Sequence, residues 1–140
     1  MIQRGRRIAR PASARRPDST KPLVLIVEDN NDVRQMYADL LTFFGLGVAE
    51  ASNGAEAVAL SRTLRPDLVV MDMALPVMDG ATATRKLKRA ARRSPPSVIA
   101  VTGFSHDFYK SRALAAGCDA FLTKPCSLEL LDEVSRLLGM

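Results

Sequence analysis

Polar side chains lie at the ends of four apolar runs in this 140-residue chain. They are Glu28, Asp29, Asp72, Thr102 and Lys124, which follow the runs at residues 23–27, 68–71, 98–101 and 120–123. If these runs are parallel strands of one sheet, their carboxyl ends share the edge where open α/β sheets bind ligands. Three carboxylates in one crevice need a cation, and oxygen ligands favour Mg²⁺. A lysine and a hydroxyl beside that metal suit a phosphoryl group.

Asp72 is the candidate nucleophile, because a carboxylate can attack phosphorus and form an aspartyl-phosphate. A single aspartate at this position would more simply cap the turn or helix that follows it. The neighbouring polar sites favour the chemical interpretation. Glu28 and Asp29 have a similar alternative, since the next helix needs an N-cap that Asp29 or an asparagine after it can supply. Capping and metal binding are compatible roles.

Thr102 and Lys124 complete the candidate site. The Thr102 hydroxyl can donate to a phosphoryl oxygen, although threonine is also an ordinary strand residue. A lysine at the end of an apolar strand must find an anion or reach water. Pro125 follows Lys124, and a peptide bond before proline can be cis. We therefore predict a cis Lys124-Pro125 peptide bond, which would change the direction of the lysine side chain.

Strand-like runs alternate with helix-like segments from Leu23 onward. The run at 68–71 is apolar without alternation, which is typical of a strand covered on both faces. Gly47–Ala51 is less apolar and is predicted to be an edge strand. This alternation predicts an α/β fold with a parallel sheet, helices on both faces and right-handed crossovers. The predicted strands are residues 23–27, 47–51, 67–72, 98–102 and 120–124, and the predicted helices are residues 33–44, 55–65, 81–93, 108–116 and 127–138.

Helical periodicity predicts which residues face the core. In the first helix, apolar residues recur at spacings of three and four from residue 33 to residue 44. In the last helix, Ser127 is the predicted N-cap. The predicted core stripe of that helix is Leu128, Leu131, Val134 and Leu138.

Residues 1–22 form a separate basic segment. It holds seven of the 20 Lys and Arg residues and one acid, so the net charge of +5 comes from this segment and the rest is nearly neutral. Low apolar content and scattered prolines predict a disordered arm. Weak attraction to nucleic acid is one function for such an arm, but a solvated tail or a start codon placed too early is the simpler interpretation. The arm lacks the apolar core of a secretory signal, and no apolar run is long enough to span a membrane.

Several other features carry less information. The two cysteines, Cys118 and Cys126, form no metal-binding pattern and indicate reduced thiols. His106 is the only histidine, is placed in a polar loop and lacks triad partners. The six basic residues between Arg85 and Arg93 predict a solvated helix face, with docking to an acidic partner as the alternative. Neither nucleotide-binding glycine motif is present.

Four motifs together resemble the receiver domains of bacterial two-component response regulators. They are the segment Leu25–Asn30, the segment Asp72–Gly80, the tripeptide Val101–Gly103, and Phe121 followed by Lys124-Pro125. Their order and spacing are more specific than any one of them alone. The resemblance covers residues 23 to 138 and assigns residues 23–140 to one receiver domain.

The resemblance implies roles for the residues at the crevice. Asp72 accepts a phosphoryl group from a sensor histidine kinase or a histidine phosphotransfer protein. Glu28, Asp29, Asp72 and the backbone carbonyl of Ala74 bind Mg²⁺, and Lys124 pairs with the phosphoryl group. A haloacid-dehalogenase-type phosphatase also uses a nucleophilic aspartate and Mg²⁺, but it needs a second acid two residues on, where this chain has Ala74.

The resemblance also implies how the protein signals. The fold is flavodoxin-like, with five parallel strands in the order 2-1-3-4-5. Thr102 and Phe121 are the switch residues, and the output face combines the fourth helix, fifth strand and fifth helix. The expected protein is a cytoplasmic phosphoacceptor switch rather than an enzyme, a monomer or weak dimer, with an unidentified downstream protein target. A receiver that binds without cycling phosphate is the alternative.

The chain departs from the family pattern at a few positions. Glu28 stands where many relatives carry aspartate, and Leu75 where methionine is usual. Ala74 and Phe104, which flank the phosphorylation site, are both apolar. No output domain follows the receiver domain, so a single-domain regulator or a receiver fragment is expected.

Overall fold

Each apolar run forms a β-strand, and a helix follows each strand. The structure is a computed structural model that describes residues 21–91, 94–103 and 106–140. The strands are β1 (Leu23–Val27), β2 (Gly47–Ala51), β3 (Leu68–Asp72), β4 (Ser97–Thr102) and β5 (Ala120–Thr123). The helices are α1 (Asn31–Phe43), α2 (Gly54–Leu64), α3 (Gly80–Ala90), α4 (His106–Ala116) and α5 (Ser127–Leu138).

The strands form one parallel sheet in the order β2-β1-β3-β4-β5. This confirms the predicted α/β class, the strand order 2-1-3-4-5 and the flavodoxin-like topology. The order changes direction between β1 and β3, and this is the place where a doubly wound sheet opens a crevice at its carboxyl edge. Val27 pairs with Met71, and Asp72 pairs with Val101, so the ends of β1, β3 and β4 are adjacent.

Helices cover both faces of the sheet and create two apolar cores. All five residues of β3 are buried, which agrees with its unbroken apolar sequence. On one face, Tyr37 and Leu41 of α1 and Leu130 of α5 pack against the sheet. On the other, α2, α3 and α4 bury small side chains such as Ala57 of α2. The central strands are packed between these two cores, which fixes the positions of the polar residues at the ends of the strands.

The fifth helix differs from the prediction in its cap and in its buried face. Its N-cap is Cys126, which makes no side-chain capping bond, and Ser127 is already the first helical residue. The predicted Ser127 cap is therefore wrong. The buried stripe is Leu130, Val134 and Leu138, so the prediction is confirmed for Val134 and Leu138. Leu128 is 75% exposed and Leu131 is only partly buried, so the first half of the predicted stripe is wrong. The direction in which the chain leaves β5 sets this rotation, and the local pattern of leucines does not encode it.

Other predicted boundaries shift by a few residues. The third strand begins at Leu68 rather than at residue 67, and α3 ends at Ala90 because Ala91 is extended. Arg92 and Arg93, predicted to end α3, lie outside the described residues, as do Phe104 and the predicted disordered arm up to residue 20. The fourth helix begins at His106, so this residue belongs to a helix and not to the predicted loop. Across the described ranges, no helix has the length and apolar character to cross a membrane.

Candidate functional site

Three carboxylates meet at the carboxyl edge of the sheet. Glu28 and Asp29 directly follow β1, and Asp72 is the last residue of β3. One carboxylate oxygen from each lies within 4.8 Å of the other two. Glu28 and Asp72 are only 3% and 6% exposed, whereas Asp29 faces solvent. Because three negative charges repel at this distance and two of them are buried, the cluster needs a cationic partner.

Lys124 is a cationic partner of this cluster in the structure. Its Nζ donates to Oε1 of Glu28 at 2.6 Å and to Oδ2 of Asp72 at 3.3 Å. Burial lowers the pKa of Lys124, but the hydrogen bond to Glu28 and the charge of Asp72 outweigh burial, so the pKa is raised overall. The lysine therefore bridges the two buried carboxylates as a cation. Its peptide bond to Pro125 is cis, which confirms the prediction.

Asp72 is held in an environment that disfavours its charge. Burial raises the pKa of the Asp72 carboxyl to about 6, and the nearby charge of Glu28 contributes to the rise. The Ala74 N–H, which donates to Oδ1 at 3.0 Å, and the Lys124 ammonium act in the opposite direction. A cation bound among the three carboxylates would remove this penalty, because it stabilises their ionised forms.

The raised pKa of Asp72 predicts a pH-dependent stability. The folded-state pKa of about 6 exceeds the usual 3.8, so the protonated carboxyl favours folding below about pH 4 and this contribution is lost as pH rises through about 6. Asp72→Asn is neutral at every pH. In metal-free buffer near pH 8 it should be more stable than the parent by on the order of 1–3 kcal/mol, with the gap closing below about pH 4. Urea unfolding in the presence of a chelator measures the free energy of unfolding of both proteins at each pH. A difference between them that does not change with pH would contradict the burial of an ionised Asp72.

The loop after β3 fixes the backbone that carries Asp72. The Gly80 N–H donates to the Met73 carbonyl at 3.1 Å, and Asp79 caps α3 by accepting from the Thr82 N–H at 2.8 Å. A Cβ atom added to Gly80 would meet the Asp72 carbonyl oxygen and Met73 at well under contact distance. Glycine is therefore required at residue 80 for α3 to begin this close to the nucleophile.

Thr102 and Phe121 share one face of the sheet. Phe121 pairs with Ala100, and Thr102 lies two residues further along β4, so the side chains of Thr102 and Phe121 project to the same side. Thr102 is fully buried, and Phe121 is partly buried against the core beneath α2, α3 and α4. Both predicted switch residues therefore lie on the face of the sheet that α2, α3 and α4 cover.

The donor set fits a hard divalent cation. Carboxylate oxygens from Glu28, Asp29 and Asp72 are the ligand type that Mg²⁺ prefers, and the described residues add no histidine or cysteine to this group. Asp29 lies at the solvent side, which leaves room for the water ligands that Mg²⁺ retains. Ala74 lies beside Asp72 through its N–H bond. Its carbonyl as a further ligand stays a prediction.

The structure decides one role that the sequence left open and adds two contacts to Glu28 that the sequence did not reveal. Asn30 is the N-cap of α1, accepting from the Val33 N–H at 3.0 Å, which decides among the capping candidates. The Asn30 N–H also donates to Oε2 of Glu28 at 3.0 Å. Arg34 donates to the Glu28 carbonyl at 2.8 Å. An arginine in the first helix is typical of a solvated face, so no sequence signal identified Arg34.

The chain matches a family model described as the response regulator receiver domain over residues 24–136. It is similar to the polar-differentiation response regulator DivK of Brucella anthropi, with 36% identity over 117 residues that cover 83% of this chain and 95% of the relative. The DivK of Brucella ovis is 34% identical over the same shares of the two chains.

Solved structures show the same likeness. The receiver domain of a signal transduction histidine kinase from Syntrophus aciditrophicus has a TM-score of 0.77 and 35% identity, covering 84% of this chain and 90% of that one. The receiver domain of a sensor histidine kinase from Pseudomonas aeruginosa, with magnesium coordinated in its active site cleft, has a TM-score of 0.78 and 31% identity, covering 86% and 99%. A Saccharomyces cerevisiae receiver domain in complex with a histidine phosphotransfer protein has a TM-score of 0.76 and 29% identity, covering 86% and 90%.

Proposed function

Because this chain belongs to the response regulator receiver family, whose members act as phosphoacceptor switches, we propose that Asp72 is its phosphoacceptor. The donor is a sensor histidine kinase or a histidine phosphotransfer protein. The observation that carries this assignment is the bridge from Lys124 to Glu28 and Asp72, because it joins a nucleophilic carboxylate, a metal-binding acid and a cation in one buried cluster.

The arrangement supports transfer to Asp72 by positioning and charge. A carboxylate oxygen of Asp72 attacks phosphorus, and the bond from phosphorus to the donor's histidine nitrogen breaks as that nitrogen leaves. Mg²⁺, held by Glu28, Asp29, Asp72 and the Ala74 carbonyl, would neutralise charge on the phosphoryl oxygens. Lys124 already lies 3.3 Å from Asp72 and would pair with another of those oxygens.

Lys124 has a proposed role both before and after phosphorylation. In the structure, the lysine neutralises Glu28 and Asp72. With a divalent cation held by Glu28, Asp29 and Asp72, the charge of those carboxylates would be neutralised by the metal, and the Lys124 ammonium would be free to pair with the phosphoryl group. The same lysine thus stabilises the resting cluster and then the phosphorylated one. This accounts for a lysine at the end of a strand that is otherwise apolar.

Phosphorylation is proposed to act on the surface formed by α4, β5 and α5. A phosphoryl oxygen attracts the Thr102 hydroxyl, and Phe121 turns inward into the space that Thr102 leaves. The unphosphorylated protein samples both arrangements, and phosphorylation shifts their populations. The downstream partner, a protein whose identity is open, reads this surface. We also propose that residues 23–140 are the receiver domain and that residues 1–22 are a basic arm. The protein is proposed to act in the cytoplasm as a monomer or weak dimer.

Amide shifts should change on that surface when beryllofluoride, which mimics the phosphoryl group, is added with Mg²⁺. Large changes are expected in α4, β5 and the start of α5, because Thr102 and Phe121 connect them to Asp72. Two-dimensional NMR of the labelled protein measures them. Changes at the acidic cluster and α2 alone, with α4 and β5 unaffected, would contradict the proposed route.

The phosphorylated state should be long-lived. Hydrolysis needs a water in line with phosphorus, and Ala74 offers no side-chain group to hold one. Ala74→Asn should therefore speed decay, by about tenfold or more if the amide positions that water. Phe104→Glu should act in the same direction, although Phe104 lies outside the described residues. Phosphate release after removal of the donor measures the rate of dephosphorylation. Equal rates in the parent and both variants would exclude a role for residues 74 and 104 in this reaction.

The function is tested by phosphorylating the full chain with acetyl phosphate and by profiling it against the host's histidine kinases and phosphotransfer proteins. A single added phosphoryl group is expected in the intact mass with Mg²⁺, and none with excess chelator. One or a few kinases should transfer much faster than the others. No mass gain from any donor would refute the proposal.

A further inference from the structure

Glu28 is restrained on every polar atom by neighbours that the structure resolves. Its N–H donates to the Ala51 carbonyl at 3.1 Å, and its Oε2 accepts from the Asn30 N–H at 3.0 Å. Its Oε1 accepts from Lys124 at 2.6 Å. Its carbonyl oxygen accepts from Arg34 Nη1 at 2.8 Å. Glu28 is therefore fixed by β2, by the start of α1 and by the lysine after β5.

Arg34 supplies the contact that orients the peptide between Glu28 and Asp29. Its three guanidinium nitrogens all donate. Nε bonds Oε1 of Glu50 at 3.0 Å, Nη1 bonds the Glu28 carbonyl, and Nη2 bonds Oδ1 of Asn31 at 2.7 Å. The arginine side chain is 17% exposed. Because the guanidinium group is planar and rigid, three simultaneous hydrogen bonds fix its orientation. They thereby fix the orientation of the Glu28 carbonyl that it binds.

This contact matters for the metal site because of where the carbonyl lies. It belongs to the peptide that joins the two acids following β1. Rotation of that peptide would turn the Asp29 side chain, which is exposed to solvent. Residues that orient metal ligands in this way typically change metal affinity by about 10- to 100-fold when removed. A surface ion pair with Glu50 alone would contribute little.

We propose that Arg34, anchored by Glu50 on β2, is a positioning residue of the divalent-metal site. It holds the Glu28–Asp29 peptide in the orientation that directs both carboxylates toward Asp72. This inference rests on the proposed function in taking those carboxylates as metal ligands. If the inference is right, metal affinity also depends on a contact between α1 and the edge strand β2. In the strand order, β2 lies at the opposite end of the sheet from β5.

The test compares Arg34→Met with the parent protein in two measurements. Mg²⁺ titration, followed by amide NMR shifts, should show about 10- to 100-fold weaker binding. Urea unfolding in chelator should show that the variant still folds cooperatively. In the metal-free protein, the Asn30 amide should exchange with solvent faster, because its acceptor on Glu28 is no longer fixed. The second measurement reports positioning without any metal.

Further variants separate positioning from charge and from folding. Arg34→Lys keeps the charge but cannot form the fork, so it should recover little affinity. Glu50→Gln should cause a smaller loss than Arg34→Met, and the double variant should bind no more weakly than Arg34→Met. Arg136→Met removes the same residue type from an ion pair with Glu133 on α5 and should leave affinity unchanged.

Each outcome decides between the claims. Normal Mg²⁺ affinity and normal Asn30 exchange in Arg34→Met would overturn the inference and leave the proposed function standing. Full recovery of affinity in Arg34→Lys would overturn it as well, because charge alone would then suffice. A parent protein that binds no Mg²⁺ would overturn both. If Arg34→Met is poorly folded, Glu50→Gln gives the deciding comparison, and parental affinity there overturns the inference.

Discussion

Asp72→Asn is expected to abolish phosphorylation by acetyl phosphate and by any histidine donor. The amide has nearly the shape of the carboxyl group but provides no anionic oxygen to attack phosphorus. The loss should be complete within detection, because a phosphoryl group on another side chain would lack the cluster of Lys124 and the two acids. Intact mass after incubation with donor and Mg²⁺ measures it.

Asp32→Asn provides a matched control for this loss. Asp32 is an exposed aspartate in the first turn of α1, close to the site in sequence but outside the carboxylate cluster. It should accept the phosphoryl group at the parental level, because its side chain is not a member of that cluster. Persistent labelling of Asp72→Asn, or loss of labelling in Asp32→Asn, would contradict the assignment.

Asp29→Ala is expected to weaken Mg²⁺ binding by at least about 100-fold, a larger effect than removal of a residue that only orients the ligands. One of three carboxylates is lost, and with it a full negative charge next to the metal. Since Asp29 is exposed, the substitution removes no buried packing. Stability in chelator should therefore stay the same or rise, because repulsion with Glu28 and Asp72 is relieved.

Titration calorimetry of Asp29→Ala against the parent protein measures the metal affinity directly. Asp32→Ala is the control, since it removes a neighbouring exposed charge without removing a member of the cluster. It should bind Mg²⁺ nearly as well as the parent, apart from a small, salt-dependent effect of net charge. Parental affinity in Asp29→Ala would exclude Asp29 as a ligand.

The apolar runs were enough to predict the sheet and its carboxyl edge. A strand such as β3 is buried on both faces, and its unbroken apolar sequence predicts this burial. Because parallel strands align their carboxyl ends, the positions of Asp72 and Lys124 in the sequence implied that they would meet. The order of the strands was not derivable from the runs and came from the resemblance to receiver domains.

The rotation of α5 shows where local sequence stops being informative. Leu128, Leu130 and Leu131 lie within four positions, so more than one apolar stripe satisfies helical spacing. Which stripe is buried depends on how α5 packs against the sheet and α1. That is a property of the tertiary structure, and the prediction chose a stripe that begins with an exposed leucine.

The contacts of Arg34 and the raised pKa of Asp72 could not be predicted from the sequence, because they also depend on the tertiary structure. Arg34 bonds Glu50, 16 positions away on another element, and nothing in either segment marks the pair. The sequence indicated that the carboxylates repel, but burial is the largest cause of the raised pKa of Asp72. Burial of a polar side chain at a strand end depends on the loops around it.

Reductive trapping locates the phosphoryl group most directly. Borohydride reduces an aspartyl-phosphate to homoserine, which peptide mass spectrometry identifies at a single position. After incubation with acetyl phosphate and Mg²⁺, homoserine is expected at residue 72 and at no other aspartate, with none formed in excess chelator. Homoserine at another position, or a phosphorylated protein with residue 72 unmodified, would contradict Asp72 as the phosphoacceptor.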